Sequence, residues 1–312
     1  MVEEITVGAA WRRLTRYLEE KGIEDPDFEA LQMLQSLGCS KVQVLEGSLL
    51  LTQDQQQRLS QLSARRIAGE PLQYLLGEWE FYGLTLKVGP GVLIPRPDTE
   101  TLVETGLAFL KGKEDCRVLD LCAGTGCVGL AVERYAKGIS AFYALEKEEA
   151  AFFYLKENLS AHHSRILPLH QDGLHPGPEA EELDLILCNP PYLTGEDMES
   201  LQTEVRYEPA TALDGGEDGL DFYRSLTALW KHRLQPGGLL AYEIGMGQQD
   251  GVTEILTREG FTQIRWKEDL SGIVRVVAGQ KPEGSICQFI EVGRALWQQN
   301  KKTKKPQQPS SL

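Results

Sequence analysis

The hydrophobic pattern of the chain changes near Pro71. Before this residue, apolar side chains recur at helical spacing, as in the segment 7–18. Thr6, Asp25 and Thr52 stand where helices begin with a capping side chain. The apolar stripes of these helices are expected to bury one another, so the first quarter of the chain is predicted to form a small helical bundle.

The segment 77–98 has a different pattern, in which apolar and polar positions alternate as in a half-buried strand. Gly89, Pro90 and Gly91 supply a turn, and two prolines flank Arg96. This segment is predicted to be a β-hairpin that links the bundle to the rest of the chain.

Beyond Thr99, strand-like apolar runs alternate with helical stretches. That alternation is typical of right-handed βαβ units, so an α/β domain with a mainly parallel sheet is expected. Seven strands are predicted, over residues 117–121, 140–145, 166–170, 184–188, 239–243, 262–266 and 273–278.

Length and composition limit the possible functions. With 312 residues the chain is long enough for two domains, and its formal charge of −14 disfavours a broad nucleic-acid-binding surface. The six cysteines form no Cys-x-x-Cys pair and the adjacent His162 and His163 point apart, so no metal site is expected. Because the apolar runs are too short to cross a bilayer and the first residues lack a secretory signal, we expect a cytoplasmic protein with free thiols.

The sequence "VLDLCAGTGCVGL" places Gly124, Gly126 and Gly129 directly after the first predicted strand of the sheet. Such glycines let the backbone approach a ligand, and the helix that follows offers its positive end. Glu146 ends the next strand, where a carboxylate can accept both hydroxyls of a ribose. On these features alone, NAD and S-adenosylmethionine fit equally well.

Two further acids separate these cofactors. Asp120 precedes the loop, where a carboxylate repels a pyrophosphate and attracts the ammonium and sulfonium of S-adenosylmethionine. Asp172 follows the third strand, where it either accepts the amine of adenine or only closes a turn. We therefore predict S-adenosylmethionine as the cofactor, bound by Asp120, Ala123, Gly124, Thr125, Gly126, Glu146, Asp172, Gly173 and Asn189.

The fourth strand ends abruptly in residues 189–192, the Asn-Pro-Pro-Tyr turn. Its prolines have no N–H, so the turn presents oxygens without competing donors. The side-chain oxygen of Asn189 and the carbonyl of Pro190 can accept both hydrogens of a planar –NH₂, against which Tyr192 lays its ring. Two such acceptors increase the electron density on an otherwise unreactive conjugated nitrogen. Asn189, Pro190 and Tyr192 are therefore predicted to be catalytic in the methylation of an amide or aromatic amine.

Further segments resemble the N5-glutamine methyltransferases that modify class-I peptide chain release factors on the glutamine of their Gly-Gly-Gln loop. "GEPLQYLLGEWEFYGL" and "VLIPRPDTETLVE" match the linker and the start of the catalytic domain in that family. "CNPPY" is followed by "EVRYEPATALDGGEDGLDFYR", and "LQPGGLLAYEIGMGQ" and "DLSGIVRVVAG" complete the likeness. The Ile-Pro-Arg-Pro and Tyr-Glu-Pro segments are the discriminating ones.

The resemblance implies a Rossmann-like seven-stranded methyltransferase sheet preceded by a helical domain. The expected divisions are a substrate-docking helical domain at 1–76, a hairpin linker at 77–98, a catalytic domain at 99–280 and an extension at 281–312 with a disordered lysine-rich tail. By the same resemblance, the substrate glutamine is bound by Asn189, Pro190, Pro191, Tyr192, Arg96 and Glu208. Each of these two last residues has an equally good alternative to substrate contact. Arg96 could form a structural ion pair, and Glu208 could fix its loop against the core.

The chain departs from the family at Asp98, in the form of its glycine loop, and in continuing past Gly279. Other functions stay open: N5-glutamine methylation of a ribosomal protein, adenine-N6 methylation of DNA or RNA, S-adenosylmethionine sensing without turnover, and nicotinamide-dependent chemistry. The "IPRPDTE" sequence favours a release factor by analogy with the family, and the acidic charge disfavours nucleic acid. We expect neither a membrane nor a nucleic-acid partner.

Overall fold

The computed structural model describes residues 4–283. In the first part of this range, helices bury their apolar faces in one core around Leu18, Met33 and Leu34. They are α1 Val7–Glu20, α2 Pro26–Ser36, α3 Lys41–Glu46, α4 Gln53–Ile67 and α5 Leu72–Leu76. The predicted helical bundle is present, together with two short helices, α3 and α5, that the sequence pattern did not reveal.

Two of the three predicted caps are confirmed. The Thr6 hydroxyl accepts a hydrogen bond from the Ala9 N–H, and Thr52 and Gln55 cap the start of α4 reciprocally. The prediction for Asp25 is wrong, because its φ of 51° leaves the side chain without a capping hydrogen bond. Pro26 defines the start of α2 instead, since the first helical position needs no N–H.

The linker contains an antiparallel hairpin of β1 Glu78–Phe81 and β2 Leu84–Lys87. The hairpin was predicted, but the position of its turn was wrong: Tyr82 and Gly83 form the turn, not residues 89–91. Tyr82 and Gly83 have positive φ angles of 50° and 71°, as the type I′ turn of a two-residue hairpin requires. Residues 89–91 instead lead the chain from β2 to the site described below.

The second part of the described chain is built around a seven-stranded sheet, which confirms the predicted α/β class. Its strands are β3 Cys116–Leu121, β4 Ile139–Glu146, β5 Leu167–His170, β6 Leu183–Cys188, β7 Leu234–Glu243, β8 Thr262–Glu268 and β9 Val274–Gln280. Their order is β5-β4-β3-β6-β7-β9-β8, and β9 runs antiparallel to both of its neighbours. The helices are α6 Glu100–Leu110, α7 Cys127–Tyr135, α8 Glu149–Ala161, α9 Gly195–Glu199, α10 Asp221–Trp230 and α11 Gln249–Arg258.

The strand order brings the two sequence motifs together. Strands β3 and β6 are parallel neighbours, with Leu121 opposite Cys188. Because parallel strands end at the same edge of a sheet, the glycine loop after β3 and the Asn-Pro-Pro-Tyr turn after β6 leave that edge side by side. The two motifs therefore lie close enough to form one site.

Apolar layers on both faces of the sheet hold this edge in place. Leu130 and Leu155 belong to the core on one face, and Tyr223 and Trp230 to the core on the other. The Trp230 indole also donates a hydrogen bond of 2.9 Å to the Gly173 carbonyl. The loop after β5 is therefore anchored directly to the core.

A buried arginine joins the bundle to the catalytic part. Arg66 is 3% exposed and binds both carboxylate oxygens of Glu29, at 2.7 and 2.9 Å. It also contacts Glu204 at 2.5 Å, in the loop that follows the Asn-Pro-Pro-Tyr turn. In the same loop, the Tyr207 hydroxyl donates to the Ala68 carbonyl at 3.0 Å. The bundle is thus fixed against the segment that follows α9.

No helix within residues 4–283 is both long and apolar enough to span a bilayer. Residues 284–312, which include the lysine-rich tail, lie outside the described residues. The disorder of that tail stays a prediction.

Replacement of Arg66 by Met is expected to lower the free energy of unfolding by about 3 kcal/mol, because it leaves the Glu29 carboxylate buried without its partner. Arg65→Met is the matched control on the same helix. Arg65 pairs with Glu70 but is 55% exposed, so its loss should change stability by less than about 1 kcal/mol. Urea denaturation followed by circular dichroism measures both variants. Equal losses would show that the Arg66 cluster does not hold the bundle in place.

Candidate functional site

A cavity of about 400 Å³ opens at the carboxyl edge of the sheet. It is enclosed by the loops after β3, β4 and β5, by the Asn-Pro-Pro-Tyr turn and by residues 91–96. Its size is ordinary for a cofactor site. Of the predicted cofactor residues, Gly126 does not line it; those that do are Asp120, Ala123, Gly124, Thr125, Glu146, Asp172, Gly173 and Asn189.

The three glycines of the loop have different tasks. Gly124 has a φ of 54°, and its N–H donates to Glu146 Oε2 at 2.8 Å. A Cβ on Gly126 would come within 2.6 Å of a Leu155 methyl group, and one on Gly129 within 3.1 Å of Asp120 Oδ2. Gly124 and Gly126, which both have positive φ angles, therefore shape the turn, while Gly126 and Gly129 also allow close packing around α7.

Asp120 places a buried carboxyl group in the wall of the cavity. The residue is 1% exposed, and its Oδ2 accepts a hydrogen bond of 2.8 Å from the Gly129 N–H. Burial raises the pKa of this carboxyl group to about 7, although the Gly129 hydrogen bond lowers it. A positively charged ligand in the cavity would favour the ionised form.

Glu146 is held in place by backbone donors. Its Oε1 accepts hydrogen bonds from the N–H groups of Lys147 and Glu148, and its Oε2 accepts one from Gly124, all at 2.8 Å. Burial, the largest effect, raises its pKa. A carboxylate has about four acceptor positions, so one stays available for a hydroxyl of a ligand.

Asp172 closes a turn and also faces the cavity. Its Oδ1 accepts from the Leu174 N–H at 2.9 Å, and its Oδ2 lies 3.4 Å from the Lys147 ammonium and 3.3 Å from the His175 ring. Burial by itself raises the pKa of the Asp172 carboxyl group, but these partners together lower it by more. The net pKa is therefore below the usual value. The turn-closing alternative is therefore present, and adenine binding by the same carboxylate stays a prediction.

Within the Asn-Pro-Pro-Tyr turn, Asn189 and Pro191 line the cavity, whereas Pro190 and Tyr192 do not. The Asn189 amide directs its Nδ2 toward the Thr99 hydroxyl, at 3.5 Å. No donor among residues 4–283 hydrogen-bonds the side-chain oxygen of Asn189 or the carbonyl oxygen of Pro190. The Asn189 oxygen is therefore available at the cavity surface, whereas the Pro190 carbonyl belongs to a buried residue that does not line the cavity.

Arg96 and Glu208 form an ion pair at the rim of the cavity. Glu208 is 5% exposed and also accepts a hydrogen bond of 2.9 Å from the Ile94 N–H. It thereby fixes the segment that carries Arg96 over the cavity. The ion pair expected as an alternative for Arg96 and the loop contact expected for Glu208 are therefore both present. Contact of these residues with substrate stays a prediction.

Sequence reasoning missed Glu243, the last residue of β7. This residue is 2% exposed and lies behind the Asn-Pro-Pro-Tyr turn, where its Oε1 accepts a hydrogen bond of 3.4 Å from Tyr192. Burial raises the pKa of Tyr192 above its usual value and that of Glu243 to about 7. The sequence did offer one signal for this residue, because Glu243 is a lone acid at the end of the apolar run "LLAYE".

Two protein families match the chain. The family described as "PrmC N-terminal domain" matches residues 9–77, and "Methyltransferase small domain" matches residues 99–216. The release factor glutamine methyltransferase of Thermodesulfovibrio yellowstonii is 39% identical over 249 residues, which span 78% of this chain and 88% of the relative. The enzyme of the same name from Geobacter sulfurreducens is 39% identical over 267 residues, which span 85% of this chain and 93% of that relative.

The chain belongs to the release factor glutamine methyltransferase family. This confirms the predicted enzyme class, and S-adenosylmethionine is the methyl donor. The solved catalytic domain of hMettl16 with the MAT2A 3'UTR hairpin 6 has 16% sequence identity and a TM-score of 0.53, over 77% of this chain and 87% of that one. That likeness supports the sheet fold alone.

The charges of the cavity fit this cofactor in the methyltransferase. Its lining carries more acidic than basic side chains: Asp120, Glu146, Glu148, Asp172 and Asp214 against Arg96 and Lys147. Both cations are paired, Arg96 with Glu208 and Lys147 with Asp172. The surplus of negative charge suits the ammonium and sulfonium of S-adenosylmethionine and disfavours a pyrophosphate.

Binding of S-adenosylmethionine to the methyltransferase is expected to weaken as the pH falls through about 7, because the Asp120 carboxylate then becomes protonated. Asp120→Asn should lower the affinity at pH 8.5 about tenfold, or roughly 1.4 kcal/mol, and remove the pH dependence. Isothermal titration calorimetry between pH 6 and 8.5 measures both effects.

The control is Asp214→Asn, which neutralises an exposed carboxylate of the same cavity and should keep the pH dependence. Wild-type affinity that does not change over this pH range would contradict a contact between the ionised Asp120 and the cofactor.

Proposed function

We propose that the enzyme transfers the methyl group of S-adenosylmethionine to the side-chain amide nitrogen, N5, of the glutamine in the Gly-Gly-Gln loop of class-I peptide chain release factors. It would thereby act in translation termination. The names of the relatives support the substrate class. The observation that supports the chemistry best is the side-chain oxygen of Asn189, which lines the cavity and accepts no hydrogen bond from residues 4–283.

The turn is suited to hold a glutamine amide. The amide nitrogen shares its lone pair with the carbonyl group, so it reacts poorly with carbon. Asn189 Oδ1 and the Pro190 carbonyl would each accept one N–H hydrogen, which increases the electron density on nitrogen and stabilises positive charge as it grows there. S-adenosylmethionine, when bound, supplies an electrophilic methyl group on a positively charged sulfur.

The rigidity of the turn contributes to this role. Proline after Asn189 excludes helical backbone angles at that residue, and neither Pro190 nor Pro191 has an N–H that would compete for the acceptors. Tyr192 is tied to Glu243 through its hydroxyl, which holds the end of the turn. The two oxygens are thus positioned before substrate arrives, as catalysis by fixed dipoles requires.

We also propose roles for the surroundings. The bundle at 1–76 would dock the release factor, the linker at 77–98 would join it to the catalytic domain at 99–280, and the extension from 281 has no assigned role. The contact between Arg66 and Glu204 supports docking, because it fixes the bundle against the loop that follows the turn. Pro191 and Arg96, which line the cavity, and Glu208 would contact the substrate at the rim.

Methylation of a purified release factor tests the proposal. Mass mapping should place one methyl group on the glutamine of its Gly-Gly-Gln loop, and a substrate with that glutamine replaced by alanine should not react. Asn189→Ala should lower kcat by at least about 100-fold while binding of the methyl donor persists, because one fixed acceptor is lost.

Gln235→Ala is the matched control, since it removes an exposed amide at the opposite end of β7. It should keep wild-type activity. Methylation of a ribosomal protein or of an adenine, with no label on the release factor, would contradict the proposed substrate. Full activity of Asn189→Ala would contradict the proposed role of the turn.

A further inference from the structure

The segment 91–96 forms one wall of the cofactor cavity, although it belongs to neither a helix nor a strand. Val92 in this segment is completely buried, and a Cβ on Gly124 would lie 3.9 Å from one of its methyl groups. The segment is thus placed beside the glycine loop. Because no regular backbone pairing determines its course, other contacts must fix it.

Side chains hydrogen-bond the backbone of this segment at two points. The Tyr74 hydroxyl donates to the Val92 carbonyl at 2.5 Å, and the Glu208 carboxylate accepts from the Ile94 N–H at 2.9 Å. No other donor among residues 4–283 hydrogen-bonds the Val92 carbonyl. A buried carbonyl without a partner is unfavourable, so without the Tyr74 hydroxyl the segment would have to shift to bring this group to water.

Tyr74 makes this contact from the helical bundle. It lies on α5, and Leu72 of the same short helix is buried in the core of the bundle. Tyr74 itself is 6% exposed and does not line the cavity. Burial, the largest effect, raises the pKa of its hydroxyl, which therefore stays protonated and able to donate at neutral pH. The bundle thus reaches the cofactor cavity through one buried hydroxyl group.

We propose that Tyr74 is a positioning residue for the methyl donor: its hydroxyl holds Val92, and with it the segment 91–96, beside the glycine loop. The apolar side chains of Val92, Leu93 and Ile94 line the cavity, so their position determines how well its wall fits S-adenosylmethionine. This role concerns the methyl donor alone and does not depend on which substrate accepts the methyl group.

Tyr74→Phe tests the proposal, because it removes the hydroxyl and keeps the ring. Its Kd for S-adenosylmethionine, measured by isothermal titration calorimetry, should rise about fivefold, the effect of losing one neutral hydrogen bond. With saturating S-adenosylmethionine, kcat should stay within about twofold of the wild type, since the Asn-Pro-Pro-Tyr turn is unchanged. A wild-type Kd in this variant would overturn the inference.

Tyr242→Phe is the matched control. Its hydroxyl is also buried and hydrogen-bonded, at 3.0 Å from the Thr227 hydroxyl, but neither residue lines the cavity. This variant should lose thermal stability and keep the wild-type Kd. An equal rise of Kd in both variants would show that general loosening of the core is the cause, and would contradict the role of Tyr74. If the wild type does not methylate release factors, the proposed function fails while these affinities still decide the role of Tyr74.

Hydrogen exchange gives a readout that needs neither the donor nor the acceptor. In the enzyme without cofactor, a peptide that covers residues 91–99 should exchange its amide hydrogens about tenfold faster in Tyr74→Phe than in the wild type. The same peptide in Tyr242→Phe should match the wild type, and so should a peptide from β3 in Tyr74→Phe. Unchanged exchange of residues 91–99 in Tyr74→Phe would show that other contacts hold the segment, and would overturn the inference.

Discussion

The structure depends on one constraint, the rigid Asn-Pro-Pro-Tyr turn at the end of β6. Strand β6 lies beside β3, so this turn is fixed next to the glycine loop and the cavity. Its prolines remove backbone donors, which leaves the oxygens of Asn189 and Pro190 without partners among residues 4–283. In the proposed function, the remaining features would hold either the cofactor or the substrate relative to these two oxygens.

Two buried carboxyl groups act on opposite sides of this arrangement. Asp120 faces the cavity from β3, and Glu243 lies behind the turn at the end of β7; burial raises the pKa of each to about 7. A backbone N–H supports Asp120, while Glu243 keeps one oxygen without a partner. Burying such groups is unfavourable unless they are paired, and perturbed acids of this kind cluster at functional sites. We interpret Asp120 as electrostatic support for the cofactor and Glu243 as support for the Asn-Pro-Pro-Tyr turn through Tyr192.

The sequence was most informative where chemistry and strand ends coincide. The glycine loop and the Asn-Pro-Pro-Tyr turn both end buried apolar strands, so their meeting at one edge followed from the parallel topology. The hairpin turn was misplaced because a tyrosine at positive φ, as in Tyr82, has no clear sequence signal. The contacts of Glu243 with Tyr192 and of Arg66 with Glu204 were missed because they join residues that only the tertiary fold brings together. Whether Pro190 and Tyr192 line the cavity also depends on the exact course of the backbone, which spacing does not define.

The most direct measurement is a high-resolution structure of the enzyme with S-adenosylhomocysteine and a release factor that carries the Gly-Gly-Gln loop. The account predicts that the glutamine amide nitrogen lies within about 3 Å of both Asn189 Oδ1 and the Pro190 carbonyl oxygen. A glutamine whose nitrogen faces solvent, or contacts neither oxygen, would contradict the central claim.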